Sequence, residues 1–249
     1  MNQSLLISII TVTYNAENFV DKTLRSVSEQ TYNNMEYLIV DGGSQDKTLE
    51  IVNKYSNNIS KVISEKDRGI YDAMNKGLKI AHGDFVIFMG AGDVFYSENT
   101  IETVVKYMVD KDAVYYGNAM MMPLHKLHWG KFNKIKLGIG NICHQTIFYP
   151  RCVYSKYKYD DRYRLFADYV LNISLFTTHK FRYVPEIIAY YDIGGLSASL
   201  KNDKKFVKEK NRLILKNLGM VPLLARYVYH SLHNFKHSCL EILKKIICI

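Results

Sequence analysis

Four short apolar runs separated by amphipathic stretches fill residues 5–89, and this alternation restricts the fold more than any other feature of the chain. Leu5–Thr13 is β-rich and almost wholly apolar, the pattern of a strand buried on both faces of a sheet. Phe19, Val20, Leu24 and Val27 then recur at helical spacing. Met35-Glu-Tyr-Leu-Ile-Val40 reads as a second strand, and Asp46 is placed to cap a helix carrying Leu49, Val52 and Tyr55. Lys61–Ser64 gives a third strand, Gly69–Ala81 a third helix and Phe85–Met89 a fourth strand. Strands joined by helical segments imply βαβ units, and therefore an α/β protein with a mostly parallel, twisted sheet flanked by helices.

In such sheets ligands bind beyond the carboxyl ends of the strands. Three of those ends are polar or glycine-rich: Thr13-Tyr14-Asn15, Asp41-Gly42-Gly43-Ser44 and Gly90-Ala91-Gly92-Asp93. Each alone is compatible with a plain turn. Carboxylates at two ends on one sheet edge favour a site.

Beyond residue 113 the pattern is less regular. Tyr115–Met122, His144–Tyr149, Phe181–Val184 and Ile187–Tyr191 are strand-like, and Phe166–Phe176 is helical. From Asp203 the chain reads as helix, with Pro222 at or near a break. Residues 1–112 hold 11 Lys/Arg against 16 Asp/Glu, whereas residues 113–249 hold 22 against 8, so the basic charge lies in the second half. The expected division is a first half at 1–112, a second half of the same domain at 113–200, and a basic helical extension at 201–249.

A chain that is 48% hydrophobic with only 14 Gly and 4 Pro is able to bury a core, which excludes disordered and low-complexity classes. Four cysteines without a C-x-x-C pair suit a reducing compartment. The first apolar run lacks a basic leader segment, and no run reaches the length of a membrane span. The expected location is cytoplasmic, or peripheral on the inner face of the cytoplasmic membrane.

The segments Ile9-Ile-Thr-Val-Thr-Tyr-Asn15, Val40-Asp-Gly-Gly-Ser-Gln-Asp46 and Gly90-Ala-Gly-Asp93, in that order, resemble the family 2 inverting glycosyltransferases of GT-A fold. Glu65-Lys-Asp-Arg-Gly-Ile-Tyr-Asp-Ala-Met-Asn-Lys-Gly77 is similar to a bacterial branch of that family that builds surface polysaccharides. The resemblance spans roughly residues 5–195. It implies a nucleotide-sugar donor, UDP-linked by family frequency, a glycan or lipid-linked acceptor, and Mn²⁺ or Mg²⁺.

Thr13, Tyr14 and Asn15 offer hydroxyl, aromatic and amide groups to a nucleotide. By resemblance Glu17 and Asp41 contact the nucleoside; the competing roles are helix capping for Glu17 and turn formation for Asp41. Arg68 is able to approach phosphate oxygens, with Asp67 holding the arginine or a ribose, or else it is a solvated loop charge. Asp72 and Asn75 share one helix face and belong to the branch segment.

The family's acidic triplet survives here as Ala91-Gly92-Asp93, so the resemblance implies Asp93 as the metal ligand. It likewise implies Asp168, in Phe166-Ala-Asp-Tyr-Val-Leu171, as the base that deprotonates the acceptor, with helix capping as the competing role and Asp160 and Asp161 as rivals. His144 and Gln145 are candidates to face donor or acceptor. Gly194 and Gly195 resemble a loop that closes near the diphosphate.

Residues 201–249 carry 11 Lys/Arg, 3 Asp/Glu and apolar residues at helical spacing, which suits either an anionic membrane surface or packing on the domain, including a homo-oligomer contact. A nucleotidyltransferase would want a basic, glycine-rich loop where Tyr14-Asn-Ala-Glu17 stands. A basic nucleic-acid-binding α/β protein is the non-enzymatic alternative, without a recognisable binding motif; no nucleic acid partner is expected.

Overall fold

In the computed structural model, which describes residues 4–192 and 203–247, β1 (Ile7–Thr13) is a central strand with every residue buried. Its alternation divides two cores. Ile7 and Ile9 join one, whose buried members include Val20, Leu24 and Val27 of α1 (Val20–Ser28). Ile10 and Val12 join the other, with Tyr71, Met74 and Leu78 of α3 (Ile70–Ile80). A strand covered on both faces has no polar side, which is why its sequence is a continuous apolar run.

Around it lie β2 (Met35–Asp41), β3 (Lys61–Ser64) and β4 (Phe85–Phe88), in the order β3-β2-β1-β4 and all parallel. Beyond β4 the same sheet becomes mixed. β8 (Ile147–Pro150) runs antiparallel to β4, and β6 (Val114–Met122) antiparallel to β8. β9 (Phe181–Asp192) is parallel to β6, and the short β5 (Val94–Phe95) pairs antiparallel with β9. β7 (Lys126–Leu127) is a hairpin partner of β6. The remaining helices are α2 (Thr48–Asn53), α4 (Thr100–Val105), α5 (Lys134–Ile139), α6 (Arg151–Tyr154), α7 (Ala167–Leu175), α8 (Lys204–Leu218) and α9 (Met220–Ile247).

Several expected boundaries shift for physical reasons. The two strands expected around Pro185 are one strand, β9, whose register slips against β6 between Tyr116 and Asn118. Proline cannot donate to a ladder, and the irregularity absorbs it without ending the strand. His144–Thr146 is a 3₁₀ turn rather than strand, and β8 begins after it. The helix expected through Tyr55 ends at Asn53, and Lys47 occupies its cap position; Asp46 instead accepts from the Thr48 amide at 3.0 Å.

The helical break falls at Gly219, whose φ of +97° suits glycine, and not at Pro222. Pro222 sits in the first turn of α9, where a missing N–H costs nothing. The extension packs onto the domain through one face. Phe206 stacks on Phe166 with ring centroids 4.7 Å apart. Buried Arg226 donates at 3.0 Å to the carbonyls of Gly138 and Ile139 at the end of α5, where a helix presents unpaired acceptors.

Candidate active site

The register of the parallel strands sets one edge of the candidate site. Thr13 lies beside Asp41 and Asp41 beside Ser64, so three strands end level at one edge. The fully buried Asp41 carboxylate collects hydrogen bonds from the Thr13, Ser44 and Ser64 hydroxyls and from the Gly43 and Ser44 amides, at 2.5–3.0 Å. These donors hold its pKa below the ordinary carboxyl value although burial pushes the other way. With that many donors, the Asp41 carboxylate holds the turn in shape.

That turn places other groups. Asn15, at φ +46°, receives the Gln45 amide on its Oδ1 and gives its own amide to Ser44 Oγ. Glu17 accepts from the Lys47 amide at the start of α2, the capping role foreseen as its alternative. Tyr14 is left largely exposed. A methyl group on Gly42 would collide with Asp67 Oδ2 and come within 3.3 Å of the Tyr14 ring, so the bare glycine lets an aromatic face and a carboxylate converge beyond β2.

Arg68 pairs with Asp72 at 3.0 Å and Asp161 at 2.7 Å, and Asp67 receives the Gly69 amide rather than the arginine. Asp160 is paired with Arg162 at 2.6 Å. Both rivals to Asp168 are thus engaged by arginines.

Asp168 is buried at the first turn of α7. Its Oδ1 accepts from the Tyr71 hydroxyl at 2.8 Å and its Oδ2 from Asn141 Nδ2 at 2.6 Å. Asn141 is in turn fixed by Asn172, whose Oδ1 receives the Tyr149 hydroxyl. Burial and the Asp168 charge push the Tyr71 phenol well above its usual pKa, so it stays a donor. Helix α3 grips this region at two points, Tyr71 on Asp168 and Asn75 in a two-way pair with the Tyr159 backbone, and Arg68 just before the helix adds a third on Asp161.

Asp93 accepts from the Gly90 amide at 2.8 Å and from Gln145 Nε2 at 3.3 Å. Burial raises its pKa, partly offset by the nearby positive charge of His144 when protonated and of Lys22. One segment therefore touches both acids: Asn141 binds Asp168 and Gln145 binds Asp93. Between them the buried Cys143 thiol is driven upward in pKa by burial first and then by both carboxylates. Five residues of chain span at most about 14 Å between their end Cα atoms, which limits how far apart the two acids lie. Gly194 and Gly195 lie outside the described residues.

Tyr71, Asn141, Asn172 and Tyr149 were not singled out from sequence. Asn141 had a signal, since it is a polar residue four positions before Gln145 and three before His144. Tyr71 lies inside the branch segment, next to Asp72 and on the same helix as Asn75.

The donor set suits a hard divalent cation only in part. Asp93 offers carboxylate oxygen, and its charged form is destabilised by burial in a way a cation would relieve. Among the described residues no cluster of three His, Cys, Asp or Glu side chains forms, so ligand and solvent oxygens would supply most of the shell.

The family model "Glycosyl transferase family 2" matches residues 8–168. A "PGL/p-HBAD biosynthesis glycosyltransferase" of Mycobacterium bovis is 33% identical over 231 residues, covering 89% of this chain and 90% of the relative. The Escherichia coli "UDP-Glc:alpha-D-GlcNAc-diphosphoundecaprenol beta-1,3-glucosyltransferase WfaP" is 27% identical, covering 86% and 87%. The solved structure of S. aureus TarS 1-349 in complex with UDP superposes with a TM-score of 0.67 at 19% identity, over 86% of this chain and 65% of that one. The mannosyltransferase PcManGT from Pyrobaculum calidifontis, in complex with GDP-Man and Mn²⁺, gives 0.65 at 16% identity, over 92% and 74%. With strands, turns and acids arranged as described, the chain belongs to glycosyl transferase family 2, in its bacterial surface-polysaccharide branch, and is a glycosyltransferase of GT-A fold.

Proposed function

We propose that the enzyme transfers a sugar, with inversion and divalent-metal assistance, from a UDP-linked donor to a hydroxyl of a glycan or lipid-linked acceptor at the cytoplasmic face of a membrane. The observation that carries this is the Asn141–Gln145 segment, which holds Asp168 at one end and Asp93 at the other. A proton acceptor and a carboxylate suited to the leaving diphosphate then flank one small reaction centre. The UDP in TarS and the UDP-Glc and lipid-linked diphosphate in the name of WfaP support the choice of donor and acceptor. The Mn²⁺ bound by PcManGT supports the metal.

In this reading the nucleoside lies against Tyr14, Gly42 and Asp67, while Asp41 and Glu17 hold the turns that frame it. Asp168 takes the acceptor proton. Each of its oxygens keeps a free lone-pair site after the bonds from Tyr71 and Asn141, so it remains able to accept. As that proton leaves, the acceptor oxygen attacks the anomeric carbon in line, the bond to the diphosphate oxygen breaks, and configuration inverts because there is one displacement. A divalent cation at Asp93 would neutralise charge on the departing diphosphate. His144 and Gln145 orient the Asp93 side of the centre.

The test is thermal stability in UDP, GDP, dTDP and CMP, each with and without Mn²⁺. A ligand at about 100 times its Kd stabilises the fold by about 2.7 kcal/mol. Stabilisation by UDP that deepens with Mn²⁺ is the expected result; a response to GDP alone would replace the donor, and no response to any nucleotide would overturn the reading.

A further inference from the structure

Among the described residues, the C-terminal helices present a second face that is exposed. Met220, Val221, Leu224, Tyr227, Val228 and Leu232 of α9 are each more than half exposed, and their spacing places them on one side of the helix. The opposite side carries Leu223 and the buried Arg226, which anchor α9 to the domain. The exposed face contains no charged residue from Met220 to Leu232.

It continues onto α8. Asn211 Nδ2 donates to the Tyr227 hydroxyl at 2.9 Å, and the half-exposed Val207 and Leu215 lie one turn to either side of Asn211. Along the neighbouring row of α8 stand Lys204, Lys208, Arg212 and Lys216 at intervals of four, all exposed. An apolar stripe is thus bordered by a line of four cations.

We infer that this surface lays the enzyme on a bilayer rich in anionic phospholipid, the stripe entering the headgroup–acyl boundary and the cationic row meeting lipid phosphates. An apolar face with a basic border is what an interfacial helix presents. Among the described residues no helix is long and apolar enough to cross a membrane, so the contact is with one leaflet. A second copy of the chain is the less suitable occupant, because its matching stripe offers the cationic row no anionic group, whereas lipid phosphates do. The inference rests on the proposed membrane-face site of action for its choice of occupant. Its readout needs neither donor nor acceptor, so its failure and that of the transferase reading are separable.

The experiment is co-sedimentation of the full chain with vesicles of phosphatidylcholine alone or with about one-third phosphatidylglycerol. Each basic residue near an anionic surface contributes about 1 kcal/mol, roughly fivefold in partitioning. The expected result is partitioning into anionic vesicles more than tenfold above the neutral ones, weakened by salt. Lys204→Glu/Lys208→Glu/Lys216→Glu should lower it more than tenfold, and Leu224→Ser/Val228→Ser should do so too, with melting temperature retained in both. Equal binding to both vesicles, no binding, or binding unchanged in the variants would overturn the inference. So would light scattering that shows a dimer dissolved by Leu224→Ser/Val228→Ser.

Discussion

The two sides of the proposed active site are built in different ways. On the donor side, Asp41 is held by partners from its own turn and from adjacent strand ends, and the Thr13–Asp41–Ser64 register supplies those neighbours. On the base side, Asp168 is held by Tyr71, 97 residues earlier, and Asn141, 27 residues earlier. The first combines a turn's own amides with hydroxyls from the ends of two neighbouring parallel strands. The second exists only after α3, α7 and the Asn141–Gln145 segment have come together. Damage to the donor side should therefore register as lost stability or donor binding, and damage to the base side as lost turnover in an intact fold.

The sharpest way to break this contrast is Asp168→Asn. The amide has nearly the same shape but takes no proton, so kcat should fall by about 10³ or more while melting temperature stays near wild type. Steady-state release of the nucleoside diphosphate measures it, and near-normal turnover would remove Asp168 from its role. Asp93→Ala should cost about 10² in kcat and abolish the Mn²⁺ dependence of nucleotide stabilisation.

Asp41→Asn should behave in the opposite sense. An amide in place of a fully hydrogen-bonded buried carboxylate is expected to cost about 2–4 kcal/mol of stability, read by denaturant unfolding. The pH dependence has a defined sign. Because the folded pKa of Asp41 lies below its ordinary value of 3.8, its contribution is present above that value and is lost as pH falls through the folded one. Wild type should consequently lose stability more steeply than Asp41→Asn as pH falls below 3.8.

Smaller effects sharpen the comparison. Gly42→Ala sets a methyl against Asp67 and Tyr14 and should raise the donor KM about tenfold with little change in kcat. Tyr71→Phe removes one neutral donor to a charged acceptor and should lower kcat about three- to tenfold with donor KM unchanged. A matching rise in KM would make Tyr71 a packing residue only.

Much of the donor side was readable in advance because its signals are short-range. The apolar run of β1, the stop after Val40 and the Gly90–Asp93 turn are local patterns, and βαβ order puts strand ends on one edge. The roles within that edge were less readable. Glu17 and Arg68 are charges near a turn in sequence, whereas in space one caps α2 and the other pairs with Asp72 and Asp161. A side chain's partner depends on what lies a few ångströms away, and spacing along the chain does not record that for loops.

The sequence by itself determined the layered α/β architecture, the level strand ends and the acids Asp93 and Asp168 as candidates, since periodicity and turn chemistry act over a few residues. Only the tertiary structure decided that Tyr71 and Asn141 hold Asp168, that β9 passes Pro185 unbroken, and that one face of α8 and α9 anchors the extension while, among the described residues, the other is exposed. These are contacts between distant segments, fixed by packing and burial after the chain has closed upon itself.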